Sequence, residues 1–142
     1  MKIFLITILF FHSYLNSQDS GYQMYKNGDI DSALQYYNML LEMENEDIPK
    51  ESLLYNIGTI YSSMNNIPKA NSAFQIVYND SLQNVSSDLS YNYGNALYRS
   101  KNLEKSLHAY RDALLRNPND SDARKNYEFV KNEIKKNKNM NK

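Results

Sequence analysis

Three glycines, Gly21, Gly58 and Gly94, stand 37 and 36 residues apart, and each sits inside the same pattern of small and apolar residues. A recurrence of this length marks one supersecondary unit stacked on copies of itself, which constrains the fold more tightly than composition does. The second unit is the clearest: Leu54-x-x-Ile57-Gly58-x-x-Tyr61, followed by Asn66, Ile67, Ala70, Phe74 and Val77. Its apolar residues recur three and four apart in two short runs joined by a tight turn, so it reads as a pair of amphipathic helices. Gly58 and Ala70 are the small residues at the closest approach, where anything larger than a methyl group would push the helices apart, and Tyr61 and Phe74 fill the space beside them.

The third unit repeats the pattern with Tyr93, Gly94, Leu97, Asn102, Leu103, Ser106, Tyr110 and Ala113, and Pro118 stands where the second helix must stop. A weaker first unit is carried by Gly21, Met24, Gly28, Asp29, Ile30, Ala33, Tyr37 and Leu40. The inner turns agree with this register. Asp29, Asn66 and Asn102 occupy equivalent places just before Ile30, Ile67 and Leu103, as helix N-caps should. Pro68 falls in the first turn of its helix, where a missing N–H has no partner to lose. A seventh helix then starts at Asp120, Ser121 and Asp122 and carries Ala123, Tyr127, Val130 and Ile134, with Glu128 where the repeat glycine should stand. That pattern suits a terminal cap with one face on the last repeat and a charged face in water.

The expected architecture is therefore all-α, with units at about 18–44, 51–80 and 87–118, a cap helix over 120–136, and a frayed, disordered basic tail over 137–142. Residues 1–17 stand apart. Lys2 and the run Ile3, Phe4, Leu5, Ile6, Ile8, Leu9, Phe10 and Phe11, broken only by Thr7, read as a secretory signal cleaved near Ser17, with a short uncleaved N-terminal anchor as the alternative. Either places the repeats outside the cytoplasm, in the periplasm or on the outer face of the cytoplasmic membrane.

Composition removes whole classes of function. Sixteen Lys and Arg balance sixteen Asp and Glu, so no net field draws the chain to nucleic acid. With no cysteine there is no disulfide framework, thiolate metal site or cysteine nucleophile. Of the two histidines, His12 falls in the signal and His108 is predicted on the outward side of its helix, so no catalytic or metal-binding cluster can be assembled. Neither a phosphate-binding glycine loop nor a Gly-x-Ser-x-Gly or His-Glu-x-x-His motif is present. No enzyme activity, cofactor or small-molecule substrate is expected.

The second and third units resemble the tetratricopeptide repeat (TPR), whose pattern is Trp-x-x-Leu-Gly-x-x-Tyr, then Ala-x-x-x-Phe, then Pro. The resemblance covers roughly residues 18 to 136, with the tryptophan absent, Ser106 at the usual small alanine, and spacings longer by two or three residues placed in the loops around 44–49 and 79–86. It implies a right-handed superhelix of three helix hairpins plus the capping helix, with the first helix of each pair lining a concave groove that binds protein. Carried over residue by residue, the groove positions are Tyr22, Tyr25 and Lys26 in the first unit. They are Tyr55, Thr59, Ser62 and Ser63 in the second and Tyr91, Asn95, Tyr98 and Arg99 in the third, with Lys125 continuing the row. Tyrosine and arginine supply large contact area with a polar handle and dominate binding hot spots. The carboxylate clamp of some TPR cochaperones needs Lys and Arg where this chain has Gln18, Tyr22, Asp88 and Asn92, so that mechanism is not expected.

The string Ala123, Arg124, Lys125, Asn126, Tyr127 and Glu128 also resembles the last helix of the small TPR proteins of bacterial aerotolerance (Bat-type) operons. That resemblance implies an extracytoplasmic, membrane-associated protein partner carrying a von Willebrand factor A domain. The expectation is a scaffold that holds a segment or loop of such a partner in its groove. Two alternatives stay open: a structural subunit that self-assembles through its terminal faces, and an accessory subunit of an enzyme without catalysis of its own.

Overall fold

A computed structural model describes residues 20–43, 48–80 and 85–140. The apolar N-terminal run and its expected cleavage point lie outside the described residues, as do Gln18 and the loop segments 44–47 and 81–84. Seven helices follow one another with no strand among the described residues: α1 (described over 20–26), α2 (Ile30–Glu42), α3 (Lys50–Ser63), α4 (Ile67–Asp80), α5 (Ser87–Arg99), α6 (Leu103–Arg116) and α7 (Ser121–Met140). Each helix packs on its neighbours in sequence, α3 on α4 and α5 on α6 as hairpins, α2 on α3, α4 on α5 and α6 on α7 as the joints between them.

The reason for the repeat is visible at the hairpin crossings. Gly21, Gly58 and Gly94 each lie under an aromatic ring sixteen residues further along the chain, Tyr37, Phe74 and Tyr110. A Cβ on any of the three would come within 2.6 to 2.8 Å of that ring, closer than carbon atoms can approach. Four residues before each ring stand Ala33, Ala70 and Ser106, all fully buried. Small residues on both helices thus let the backbones close, and the ring fills what remains. Ser106 keeps its polarity satisfied by donating its hydroxyl to the Gly94 carbonyl at 2.8 Å.

Turns inside the hairpins repeat as faithfully. Gly28, Asn65 and Lys101 adopt φ of 82°, 60° and 64°, and the following N–H of Asp29, Asn66 and Asn102 reaches back to the carbonyls of Met24, Tyr61 and Leu97 at 2.8 to 2.9 Å. This is the left-handed closure that ends a helix while satisfying its last carbonyls. The expected N-caps differ in one case. Asp29 accepts from the Ser32 N–H at 3.3 Å and Asn66 from the Lys69 N–H at 3.4 Å, whereas Asn102 holds the cap position but makes no side-chain cap bond.

The core runs across repeat boundaries. One cluster joins Tyr37 and Leu40 of α2 to Ile57 and Ile60 of α3, and a second joins Leu54 and Phe74 to Leu89, Tyr93 and Leu97 of α5. Ile48 and Val85, just ahead of α3 and α5, are buried in these clusters and seal the joints.

One boundary is corrected. The expected frayed tail over 137–142 is helical through Met140, so α7 runs twenty residues. Lysine is a good helix former and a cation in the last turn, here Lys138, favours the negative end of the helix dipole. No helix of the described residues is long and apolar enough to cross a membrane.

Candidate functional site

The first helices of successive pairs, α3 and α5, together with α7, line one face, and a cleft of about 550 Å³ opens there. Ser62 of α3, Asn95, Tyr98 and Arg99 of α5, Tyr110 of α6, and Asn126, Phe129 and Val130 of α7 form its walls. Tyr98 and Phe129 meet edge to face with ring centroids 5.8 Å apart, and Phe129 stays 58% exposed. A half-open aromatic pair of this kind offers apolar area whose rings are already held in place.

Polar groups make the floor. The Tyr110 hydroxyl donates to Asn95 Oδ1 at 2.7 Å, and the same oxygen accepts from Asn126 Nδ2 at 3.1 Å, so one side-chain amide ties α5, α6 and α7 together. Burial pushes the Tyr110 phenol up to about 12, which keeps it a donor. Arg99 spans the joint to the second unit: Nη1 donates to the Ser62 carbonyl at 3.1 Å and to its hydroxyl at 3.3 Å, and Nη2 donates to Asn65 Oδ1. The guanidinium therefore caps the C-terminal end of α3, where carbonyls lack helical partners. Beside the aromatic pair, burial first and the Glu133 carboxylate second raise the Tyr98 phenol above its ordinary range. Glu133 Oε2 is buried and has no hydrogen-bond partner among the described residues.

Of the expected groove residues, the structure brings Asn95, Tyr98 and Arg99 together with Ser62 in this cleft. The others lie elsewhere. Tyr22 is 51% exposed in the first unit with the Lys26 ammonium 5.6 Å from its ring centroid, and Tyr25 packs half-buried on the first cluster. Tyr55 is tied at its hydroxyl by Asn92 Nδ2 at 2.9 Å, which bridges α3 and α5. Thr59 donates to the Tyr55 carbonyl at 2.9 Å and Ser63 to the Ile60 carbonyl at 2.7 Å, so both hydroxyls are taken by their own helix. Tyr91 rests against Tyr110 with centroids 6.0 Å apart. Lys125 does not line the cleft; it pairs with Asp122 at 3.2 Å on the exposed side of α7.

Sequence reasoning missed Asn126, Phe129 and Val130, and it assigned Tyr110 to the core alone. The signal was the three-and-four spacing of 126, 129 and 130 on the cap helix, together with a phenylalanine that the repeat pattern does not require. His108 is exposed as expected, its Nδ1 3.1 Å from Arg111 Nη2. Among the described residues no three His, Asp or Glu side chains come together in a way that could hold a metal ion.

Stacked helix hairpins with a lined inner face define the class of helical-repeat folds. Within it, residues 87–120 match the tetratricopeptide repeat, the segment that contains α5 and α6, and the described residues have the tetratricopeptide superhelical fold. The C-terminal TPR-containing domain of a Plasmodium falciparum protein described as FK506-binding is similar, with 23% identity, a TM-score of 0.73, and 90% of this chain and 92% of that one covered. The first TPR domain of Spaghetti (RPAP3), solved bound to the HSP90 peptide SRMEEVD, is 18% identical with a TM-score of 0.74, covering 85% and 92%. YrrB, a TPR protein described as having an unusual peptide-binding site, is 19% identical with a TM-score of 0.73, covering 82% of this chain and 58% of its own. No curated protein matches the sequence.

Proposed function

We propose that this protein is a non-catalytic interaction scaffold that holds an extended segment of a partner protein along the face lined by α3, α5 and α7. The observation that carries the reading is the Tyr98–Phe129 pair: an exposed aromatic wall above a hydrogen-bonded asparagine floor, in a cleft large enough for one or two side chains. Two of the similar folds are described by their peptide ligand or peptide-binding site, which supports the same use of this face. The segment recognised here differs in chemistry from one held by a carboxylate clamp, because the described clamp positions carry Tyr22, Asp88 and Asn92. An apolar anchor side chain suits the aromatic wall.

The partner we propose is a membrane-associated protein of the cell envelope that carries a von Willebrand factor A domain. That choice rests on the apolar N-terminal run and on the string Ala123 to Glu128.

The test is selection of peptides from a displayed library on the full chain, followed by calorimetry with Phe129→Ala and Tyr98→Ala variants. Phe129 is chosen because its exposure lets it be truncated without opening the core. A loss of about tenfold or more in affinity for the selected peptides supports the cleft. Peptides that bind both variants as tightly as the parent place recognition on another surface.

A further inference from the structure

The floor of the cleft offers two polar atoms of opposite kind. Asn95 Oδ1 receives the Tyr110 hydroxyl at 2.7 Å and Asn126 Nδ2 at 3.1 Å, which turns Asn95 Nδ2 away from both. Asn126 spends its Nδ2 on that bond and on the Tyr110 oxygen at 3.5 Å, and its own Oδ1 is left over. Among the described residues neither Asn95 Nδ2 nor Asn126 Oδ1 has a hydrogen-bond partner, and neither is shut off from solvent. Both residues line the cleft. One amide therefore presents a donor and the other an acceptor, on side chains already locked to each other between α5 and α7.

That pairing sorts the groups a partner could bring. A carboxylate has acceptors only and sets an oxygen against Asn126 Oδ1, and an ammonium or guanidinium has donors only and leaves Asn95 Nδ2 unsatisfied. A hydroxyl must serve both atoms from one oxygen. A primary carboxamide carries its acceptor and its donors on separate atoms of one plane, which matches two separate atoms that do not bond each other. Depth decides between a main-chain amide and a side-chain one. Exposure falls from rim to floor: Phe129 is exposed, Asn95 and Asn126 are half-buried, and Tyr110 and Val130 are fully buried. An extended main chain rests on the rim, and a side chain reaches the floor.

We propose that the cleft selects a primary carboxamide, a glutamine or asparagine side chain of the bound segment, whose oxygen accepts from Asn95 Nδ2 and whose nitrogen donates to Asn126 Oδ1. This specificity rests on the peptide-binding reading of the same cleft. The aliphatic stem passes along Tyr98 and Phe129, and an apolar neighbour in the segment covers the rest of the rings.

Asn95→Asp tests it cleanly. The aspartate keeps an oxygen for the bonds from Tyr110 and Asn126 and changes only the outward atom, from donor to acceptor. Peptides are selected from a displayed library on the full chain and on this variant, and calorimetry follows with synthetic peptides. Peptides chosen by the parent should share a glutamine or asparagine at one position. Replacing it by glutamate, or by methionine of similar length, should weaken binding by more than about tenfold. On Asn95→Asp the preference should move to lysine or arginine at that position, a gain that misfolding could not produce. Selected peptides that share no carboxamide, yet lose affinity with Phe129→Ala, overturn the proposal and leave the peptide-binding reading standing. So does a preference unchanged by Asn95→Asp. Affinity lost when one peptide-bond amide is replaced by an ester, with the glutamine indifferent to replacement, overturns it in favour of main-chain recognition. A library that yields no binder overturns both readings together.

Discussion

The ring of Tyr110 lies over Gly94 so closely that a Cβ on the glycine would sit 2.8 Å from both Cδ1 and Cε1. Gly94→Ala therefore sets two effects against each other. Alanine gains about 1 kcal/mol of helix propensity, and overpacking a closed crossing costs about 1–3 kcal/mol. The ring is boxed in at 1% exposure and cannot swing away, so the second effect wins. Urea unfolding should show a net loss of up to about 2 kcal/mol, and a midpoint above the parent's would mean that the helices can part without cost.

Ser106 occupies the place of Ala33 and Ala70 but donates to the Gly94 carbonyl at 2.8 Å. The crossing tolerates alanine in the other two units, so Ser106→Ala should keep the fold and lose only the hydrogen bond, about 1 kcal/mol. Ser106→Val adds volume at a fully buried site and should cost more. Thermal midpoints that rank the parent above alanine and alanine above valine are expected; valine equal to alanine would show a crossing with room to spare.

Lys101 is held at φ 64°, a conformation that costs a side-chain-bearing residue about 1–2 kcal/mol, whereas the equivalent Gly28 adopts φ 82° freely. Lys101→Gly should raise stability by roughly 0.5–1 kcal/mol, part of the gain being returned as extra freedom of the unfolded chain. A denaturation midpoint below the parent's would refute this.

Burial raises the phenols of Tyr55, Tyr78, Tyr93 and Tyr110, the last to about 12 against an ordinary 10.0. Raised acids hold their proton more tightly folded than unfolded, so their stabilisation is complete below pH 10 and is lost as pH climbs from 10 through about 12. Helicity followed by circular dichroism should fall in that window, and Tyr110→Phe should flatten the fall. A chain that unfolds well below pH 10 would point to other groups.

Much of this was legible in the chain. The spacing of Gly21, Gly58 and Gly94, with an aromatic residue sixteen positions after each, is a local requirement of hairpin crossing and repeats because the crossing repeats. Part of the site was legible for the same reason: Asn95, Tyr98 and Arg99 hold regular positions on a repeat helix. Phe129 and Asn126 were not, because α7 departs from the pattern at Glu128 and its register on α6 is set by packing. The identity of a groove residue also says nothing about whether its polar group is free. Arg99 is spent on the end of α3, and the hydroxyls of Thr59 and Ser63 on their own helix.

The sequence by itself determined the helical period, the small residues at the crossings and the polar cap, because each follows from contacts within about one repeat length. Only the tertiary structure decided which side chains meet across α3, α5 and α7 and where α7 ends. Those outcomes depend on how far one hairpin is rotated on the next, and that rotation is the joint result of every buried side chain in the joint.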